Sequence, residues 1–187
     1  DEPLRIYEEN VDSLLLWCVS KRATDISIQT DKPAYIESDG VLFPITKRAL
    51  DSADMVNILA RVYGQDALAK LASGRDLDLS YEIRPDRTTR YRFRTNITVI
   101  LSRGRDSVQI TMRSLPNLPP TMKDLNIEEK IIENWAPRQG LIMITGPTGS
   151  GKSTLLAAGN RMLIERAQGC GKMLTYEAPI EFVYDAV

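Results

Sequence analysis

The sequence predicts a chain of two unlike parts: an α+β unit of mostly antiparallel strands over residues 1–113, then the opening of a parallel α/β domain from residue 121. Three observations predict it. Short segments of alternating apolar and polar residues, joined by turn signals, fill the first part. Three prolines crowd into the stretch from Ser114 to Pro120. Beyond them a glycine-rich loop stands between an apolar run and a helical pattern.

In chain order, Val11, Leu14, Leu15, Cys18 and Val19 mark one face of a helix from about Glu8 to Arg22. Asp25 to Gln29 alternates with Ile26 and Ile28 inward, which predicts a strand. A turn at Lys32-Pro33 leads to a second strand around Ala34 to Glu37, and Asp39-Gly40 is a hairpin signal before a third, Val41 to Ile45. Asp51 or Ser52 can cap a helix carrying Val56, Leu59 and Val62 that stops near Gly64; a shorter helix, Gln65 to Ala72, ends before Gly74. Leu77, Leu79, Tyr81 and Ile83 alternate with Asp76, Asp78, Ser80 and Glu82, a half-buried strand with an acidic outer face. Pro85-Asp86 turns the chain into Arg90 to Leu101, with Tyr91, Phe93, Thr95 and Ile97 on one side, and Val108, Ile110 and Met112 make a last strand.

The prolines of residues 114–120 continue neither a sheet nor a helix interior, so this stretch reads as a stiff extended linker. After it, Ile127, Ile131, Ile132 and Trp135 predict a helix, Leu141 to Ile144 a buried parallel strand, Leu155, Leu156, Gly159, Met162, Leu163 and Arg166 a long helix, and Met173 to Tyr176 a further strand. A doubly wound sheet needs more strands than these to cover both faces. The second domain, residues 121–187, therefore reads as incomplete and the chain as a fragment.

A hydrophobic content of 43% and a charged content of 26% are ordinary for a globular protein and leave room for a sizeable core. The net charge of -1 gives no global field for nucleic acid or an acidic membrane, so such binding would need a local patch. The first residues lack a basic and then apolar leader, and no apolar run reaches membrane-spanning length, so a cytoplasmic location is expected. With no histidine anywhere, mechanisms that use imidazole as base or ligand within this stretch are excluded. Cys18 reads as a small buried hydrophobe, and Cys170, in a Gly-Cys-Gly loop, as a candidate reactive thiol.

The sequence Gly146-Pro147-Thr148-Gly149-Ser150-Gly151-Lys152-Ser153-Thr154 holds a glycine, four spacers and Gly-Lys-Ser, the phosphate-binding loop pattern. Glycines at 146, 149 and 151 admit backbone angles closed to other residues, so successive N–H groups can converge on one anion. A phosphate then lies where the helix end already directs its unpaired amides. Lys152 would reach the β and γ phosphates of ATP, Ser153 would offer a hydroxyl to Mg²⁺, and Thr154 would cap the helix beside the α phosphate. The plainer alternative is a glycine-rich turn before an ordinary helix.

Two further groups invite a chemical reading. Glu177 and Glu181 follow the expected second strand of this domain, at the strand end where ligands of open sheets bind. Either one holds a metal-bound water or positions a nucleophilic water, or both are solvated loop glutamates. Arg90, Arg92 and Arg94 share one face of their strand and Arg113 ends the next. They read as a solvated face, as a nucleic-acid platform beside aromatics, or as guanidinium groups that offset charge on a transferred phosphoryl group.

The loop from Gly140 to Thr154, followed by Leu174-Thr-Tyr-Glu-Ala-Pro-Ile-Glu-Phe-Val183, closely resembles the PilT-like secretion ATPases. Thr24 to Ile28, Asp39-Gly40, Leu77 to Glu82 and Arg92 to Asn96 are similar to that family's N-terminal domain, and Glu181 to Asp185 is most similar to the DotB and TraJ branch, which serves type IVB secretion and conjugative transfer. The resemblance implies a PAS-like α+β N-terminal domain joined by the proline-rich linker to a truncated RecA-like P-loop domain. It also implies an ATPase motor in a homo-oligomeric, hexameric ring, with ATP and Mg²⁺, at the cytoplasmic face of the inner membrane. Membrane association would run through components of the secretion machine, with no direct nucleic-acid contact. By the same likeness Glu177 and Glu181 belong to an acidic catalytic box, and Arg92, Arg94 and Arg113 approach nucleotide. Three departures stand out. Ala178 replaces the aspartate usual after the box glutamate, Ser27 replaces a common histidine, and the family's Walker B and histidine boxes would fall after Val187.

Overall fold

In a computed structural model, six strands form one antiparallel sheet in the order β3-β2-β1-β6-β5-β4. The structure describes residues 4–137, 139–166, 172–177 and 180–184. The chain separates into two compact units, Asp1–Leu115 and Pro116–Val187.

The first unit runs α1 (Glu8–Ser20), β1 (Asp25–Gln29), β2 (Tyr35–Ser38), β3 (Val41–Pro44), α2 (Ser52–Val62), α3 (Ala67–Ala72), β4 (Leu77–Ile83), β5 (Tyr91–Ser102) and β6 (Arg105–Leu115). Period-two alternation decides which sheet face is buried. Ile26 and Ile28 of β1, Ile36 of β2, Phe93 and Ile97 of β5, and Ile110 and Met112 of β6 all lie in the core. Val11, Leu15 and Cys18 of α1, at helical spacing, join the same core with Met55, Ile58, Leu59 and Val62 of α2. Cys18 is the buried small hydrophobe its spacing predicts, and burial pushes its thiol up to about 12.

Side-chain pairs tie these helices down. Asp51 caps α2 by accepting from the Asp54 backbone N–H at 2.9 Å, and Asp54 returns the bond to the Asp51 N–H at 3.0 Å. Asp54 is buried, accepts from the Ile6 N–H at 2.8 Å, and meets Arg48 in a two-pronged ion pair at 2.5 and 2.9 Å. Asp12 of α1 accepts from Arg61 of α2 and, at 2.5 Å, from the Tyr81 hydroxyl of β4, so one carboxylate joins three elements.

The open face of the sheet is polar, as the acidic alternation of β4 predicts. Asp78 accepts from Asn96 at 3.0 Å and Asp76 from Thr98 at 2.5 Å. Ser114 and Leu115 are the last residues of β6.

The second unit contains α4 (Glu129–Glu133) and α5 (Lys152–Ile164). Its core gathers Met122, Trp135 and Ala158, with Leu125, Ile127, Ile132, Ile144, Leu155, Met162 and Leu163 packed against them. The two strands expected here, Leu141–Ile144 and Met173–Tyr176, are not formed: both segments lie outside any ladder, with Leu141 83% and Met143 74% exposed. A central parallel strand completes its hydrogen bonds only between neighbours, and no strand of this unit is present among the described residues to supply them. These two strands are therefore a correction to the sequence reading, whereas the loop and the helix that follow it stand. Among the described residues no helix is long and apolar enough to cross a membrane.

Candidate phosphate-binding site

The loop enters α5 through Gly151, which holds φ +84° at the helix N-cap, a left-handed conformation that costs an L-side chain about 1–2 kcal/mol. Gly149 turns with φ +79°. A Cβ at Gly146 would meet the Ser150 Oγ at 2.8 Å, so that glycine makes room for the returning loop. The Pro147 carbonyl accepts from the Ser150 N–H at 3.3 Å and from the Lys152 ammonium at 2.7 Å, which bends the lysine back over its own loop. Thr148 stands exposed at the tip, and Thr154 lies half-buried in the first turn of α5.

Ser153, in that same first turn, lines a cavity of about 220 Å³ with Leu156, Ala157, Glu177, Glu181, Phe182 and Tyr184. Glu177 and Glu181 thus share one cavity with the loop serine, and the Glu181 N–H donates to Glu177 Oε2 at 3.2 Å. Tyr184 accepts from the Asn160 amide of α5 at 3.2 Å. Burial, with help from the Glu177 charge, raises its phenol above the ordinary value and keeps it protonated, against the lowering effect of the Asn160 bond. The sequence reading missed Asn160 and Tyr184, because their pairing joins residues 24 apart with no motif between them.

The donor set is a hydroxyl and two carboxylates, hard oxygens of the kind Mg²⁺ accepts. Among the described residues no cluster of three or more Asp, Glu, Cys or His side chains could hold a metal by itself. Ala178 and Cys170 lie outside the described residues.

In the first unit the arginines separate in character. Arg94 is exposed, and Arg92, expected on a solvated stripe, is buried with its Nε 4.0 Å from Glu82. Arg90 precedes β5. Arg113 stands directly opposite Arg94 in the β5–β6 ladder and donates through Nε to Asp25 at 2.9 Å. The aromatics of this strand face inward, Phe93 fully buried, so the open face carries no stacking platform from β5.

The chain matches the family model "Type II/IV secretion system protein" over residues 3–187. It is 46% identical to the X-ray structure of the Legionella pneumophila ATPase DotB, covering 99% of this chain and 50% of that one with a TM-score of 0.88. The crystal structure of the pilus retraction motor PilT with bound ADP superposes with a TM-score of 0.74 at 29% identity over 97% of this chain and 49% of that one. The Pseudomonas aeruginosa type IV pilus retraction ATPase PilT is 29% identical over 177 residues, which is 95% of this chain and 48% of PilT. The chain thus spans about half the length of the relatives it matches. With the model matched from residue 3 onward, this chain belongs to the type II/IV secretion system protein family.

Proposed function

We propose that this chain is the nucleotide-binding part of an ATPase motor subunit of the DotB type, serving type IVB secretion or conjugative transfer. In this reading the first unit, expected from the sequence as residues 1–113, is the PAS-like domain; β6 runs on through Leu115, so the linker is residues 116–120 rather than 114–120, and residues 121–187 begin the RecA-like P-loop domain. The subunit works in a hexameric ring at the cytoplasmic face of the inner membrane, in contact with membrane components of the machine. The 46% identity to DotB favours this branch, while the similarity to PilT supports pilus retraction or type II secretion as the second reading.

One observation carries the proposal: Lys152 and Ser153 begin a helix whose approach bends through glycines, and Ser153 shares a cavity with Glu177 and Glu181. In hydrolysis a water oxygen adds to the γ phosphorus as the bond to the β–γ bridging oxygen breaks. ADP keeps that electron pair and the released phosphate takes the water's proton. The loop amides of residues 146–151 hold the phosphates, and Lys152 exchanges the Pro147 carbonyl for the β and γ oxygens. Ser153 would hold Mg²⁺, Glu177 and Glu181 would orient its water ligands, and the ion would supply charge neutralisation of the phosphates. Arg92, Arg94 and Arg113 would offset charge that develops on the transferred group.

The test is ATP turnover and nucleotide binding of the complete protein with Lys152→Ala. Turnover should fall by roughly 100-fold or more while the far-ultraviolet circular dichroism stays that of the wild type. Near-normal turnover would end this reading.

A further inference from the structure

Helix α5 has two opposite faces with different tasks. Leu155, Ala158, Gly159, Met162 and Leu163, at spacings of three and four, pack with Trp135 in the core of the second unit. The opposite stripe, Ser153, Leu156, Ala157 and Asn160, keeps the same spacing and meets Glu177 and residues 180–184 instead. Its first three residues line the cavity of about 220 Å³ with Glu177, Glu181, Phe182 and Tyr184. The fourth, Asn160, donates from its side-chain amide to the Tyr184 hydroxyl at 3.2 Å.

A cavity is space without contact, and Leu156 on this stripe stays 48% exposed, so apolar packing holds the acidic segment loosely to the helix. A hydrogen bond fixes both distance and direction where packing fixes neither. The two acids are themselves tied, since the Glu181 N–H donates to Glu177 Oε2 at 3.2 Å, and Tyr184 follows Glu181 by three residues. A restraint on Tyr184 therefore acts on both carboxylates.

Length decides between direct contact with a nucleotide and action at a distance. Asn160 lies seven residues beyond Ser153, a rise of about 10 Å along the helix. The phenol ring lines the cavity, but its hydroxyl is held at the Asn160 end, away from the loop.

We propose that Asn160 and Tyr184 are positioning residues, whose hydrogen bond latches the acidic segment to α5 and sets where Glu177 and Glu181 stand relative to Ser153. The assignment rests on the reading of the two glutamates given under the proposed function. Neither latch residue touches a phosphate; their effect passes through the carboxylates.

The experiment measures steady-state ATP hydrolysis by the complete protein and calorimetric affinity for a non-hydrolysable ATP analogue, with thermal unfolding recorded for each variant. The variants are Tyr184→Phe, Asn160→Ala, these two combined, and a reference carrying Glu177→Gln with Glu181→Gln. Each latch substitution removes the bond and leaves the phosphate loop intact, so kcat should fall about tenfold while analogue affinity stays within about twofold of wild type. Tm should stay near that of the wild type, because phenylalanine keeps the ring and alanine suits a helix interior better than asparagine. The combined variant should be no slower than the slower single one, since the same bond is lost only once. Should Asn160→Ala fail to fold, Tyr184→Phe against the reference decides alone. Wild-type turnover in either latch variant beside a slow reference overturns the inference, as do losses that multiply when combined. So does a loss that appears in affinity, which would put the phenol on the nucleotide itself. Wild-type turnover in the reference overturns the reading of the glutamates beneath it, and the inference with it.

Discussion

The indole of Trp135 lies so close to Gly159 that a Cβ built on the glycine would stand 1.9 Å from Cε2 and 2.0 Å from Nε1. Helix α5 therefore rests on Trp135 through its own backbone, and the core of the second unit closes around that contact with Met122 and Ala158. The same helix carries Lys152 and Ser153 at its start, so this packing supports the geometry of the phosphate loop.

Gly159→Ala accordingly tests the packing of the helix that bears the loop. Alanine favours a helix interior over glycine by up to about 1 kcal/mol. Forcing a methyl group into filled space costs about 1–3 kcal/mol, and here the obstacle is a ring with few ways to yield. Overpacking wins, so the variant should be less stable. Denaturant unfolding of the complete protein, followed by tryptophan fluorescence, measures it, and a stability equal to or above wild type would remove Trp135 as the reason for Gly159.

The Arg48–Asp54 pair predicts a pH dependence with a definite sign. Burial alone would raise the Asp54 carboxyl, but the Arg48 guanidinium and the N–H groups of Ile6 and Asp51 outweigh it and hold the group down to about 2. A depressed carboxyl contributes stability above its unfolded value, and the contribution is lost as pH falls from about 3.8 through about 2. Arg48→Ala leaves a buried, uncompensated charge and should cost about 3 kcal/mol at pH 7. Below about pH 4 the gap between variant and wild type should narrow, because the protonated carboxyl no longer needs the arginine. Urea unfolding at pH 7, 4 and 3 measures it; a gap that stays constant would mean that Arg48 acts by packing alone.

Much of this arrangement was legible because its cause is local. The alternation of Asp25 to Gln29 and of Leu77 to Ile83 gives both strands their limits, and Asp51 announces the start of α2. Glycine spacing and Gly-Lys-Ser mark the loop for the same reason, since left-handed backbone is a property of single residues. What depends on distant partners was not legible. Arg92 alternates with Phe93 like any outward residue, yet it is buried, which no local pattern records. Leu141 to Ile144 carries the composition of a central strand, yet a strand is formed by its neighbours. The Asp25–Arg113 bond requires β1 to lie beside β6, and their 88-residue separation leaves that order invisible along the chain.

Gly151→Ala asks whether the left-handed N-cap serves phosphate. With φ at +84° and nothing within 4 Å of a built Cβ, the obstacle is backbone strain alone. Relief of about 1–2 kcal/mol of strain would tilt the loop amides away from convergence, so nucleotide affinity should fall about tenfold. Helix content should hardly change. Calorimetric titration with a non-hydrolysable ATP analogue gives the answer, and unchanged affinity would show that the loop reaches its binding shape without this glycine.

The last prediction concerns a polar atom in the wrong surroundings. Thr95 sits on the inward face of β5 between Phe93 and Ile97, fully buried, with its hydroxyl lacking a hydrogen-bond partner. A hydroxyl taken from water with no compensating bond costs about 1–3 kcal/mol, whereas valine has nearly the same shape and suits a strand equally well. Thr95→Val should therefore stabilise the protein by about 1 kcal/mol, raising the urea midpoint without changing the slope. A destabilised variant would reveal that the hydroxyl meets a buried water, and the gain forecast from desolvation would be void. The direction matters because Thr95 shares its strand with Arg92 and Arg94. A stabilised Thr95→Val variant with unaltered ATP turnover would separate what β5 does for the core from the role proposed for Arg92 and Arg94.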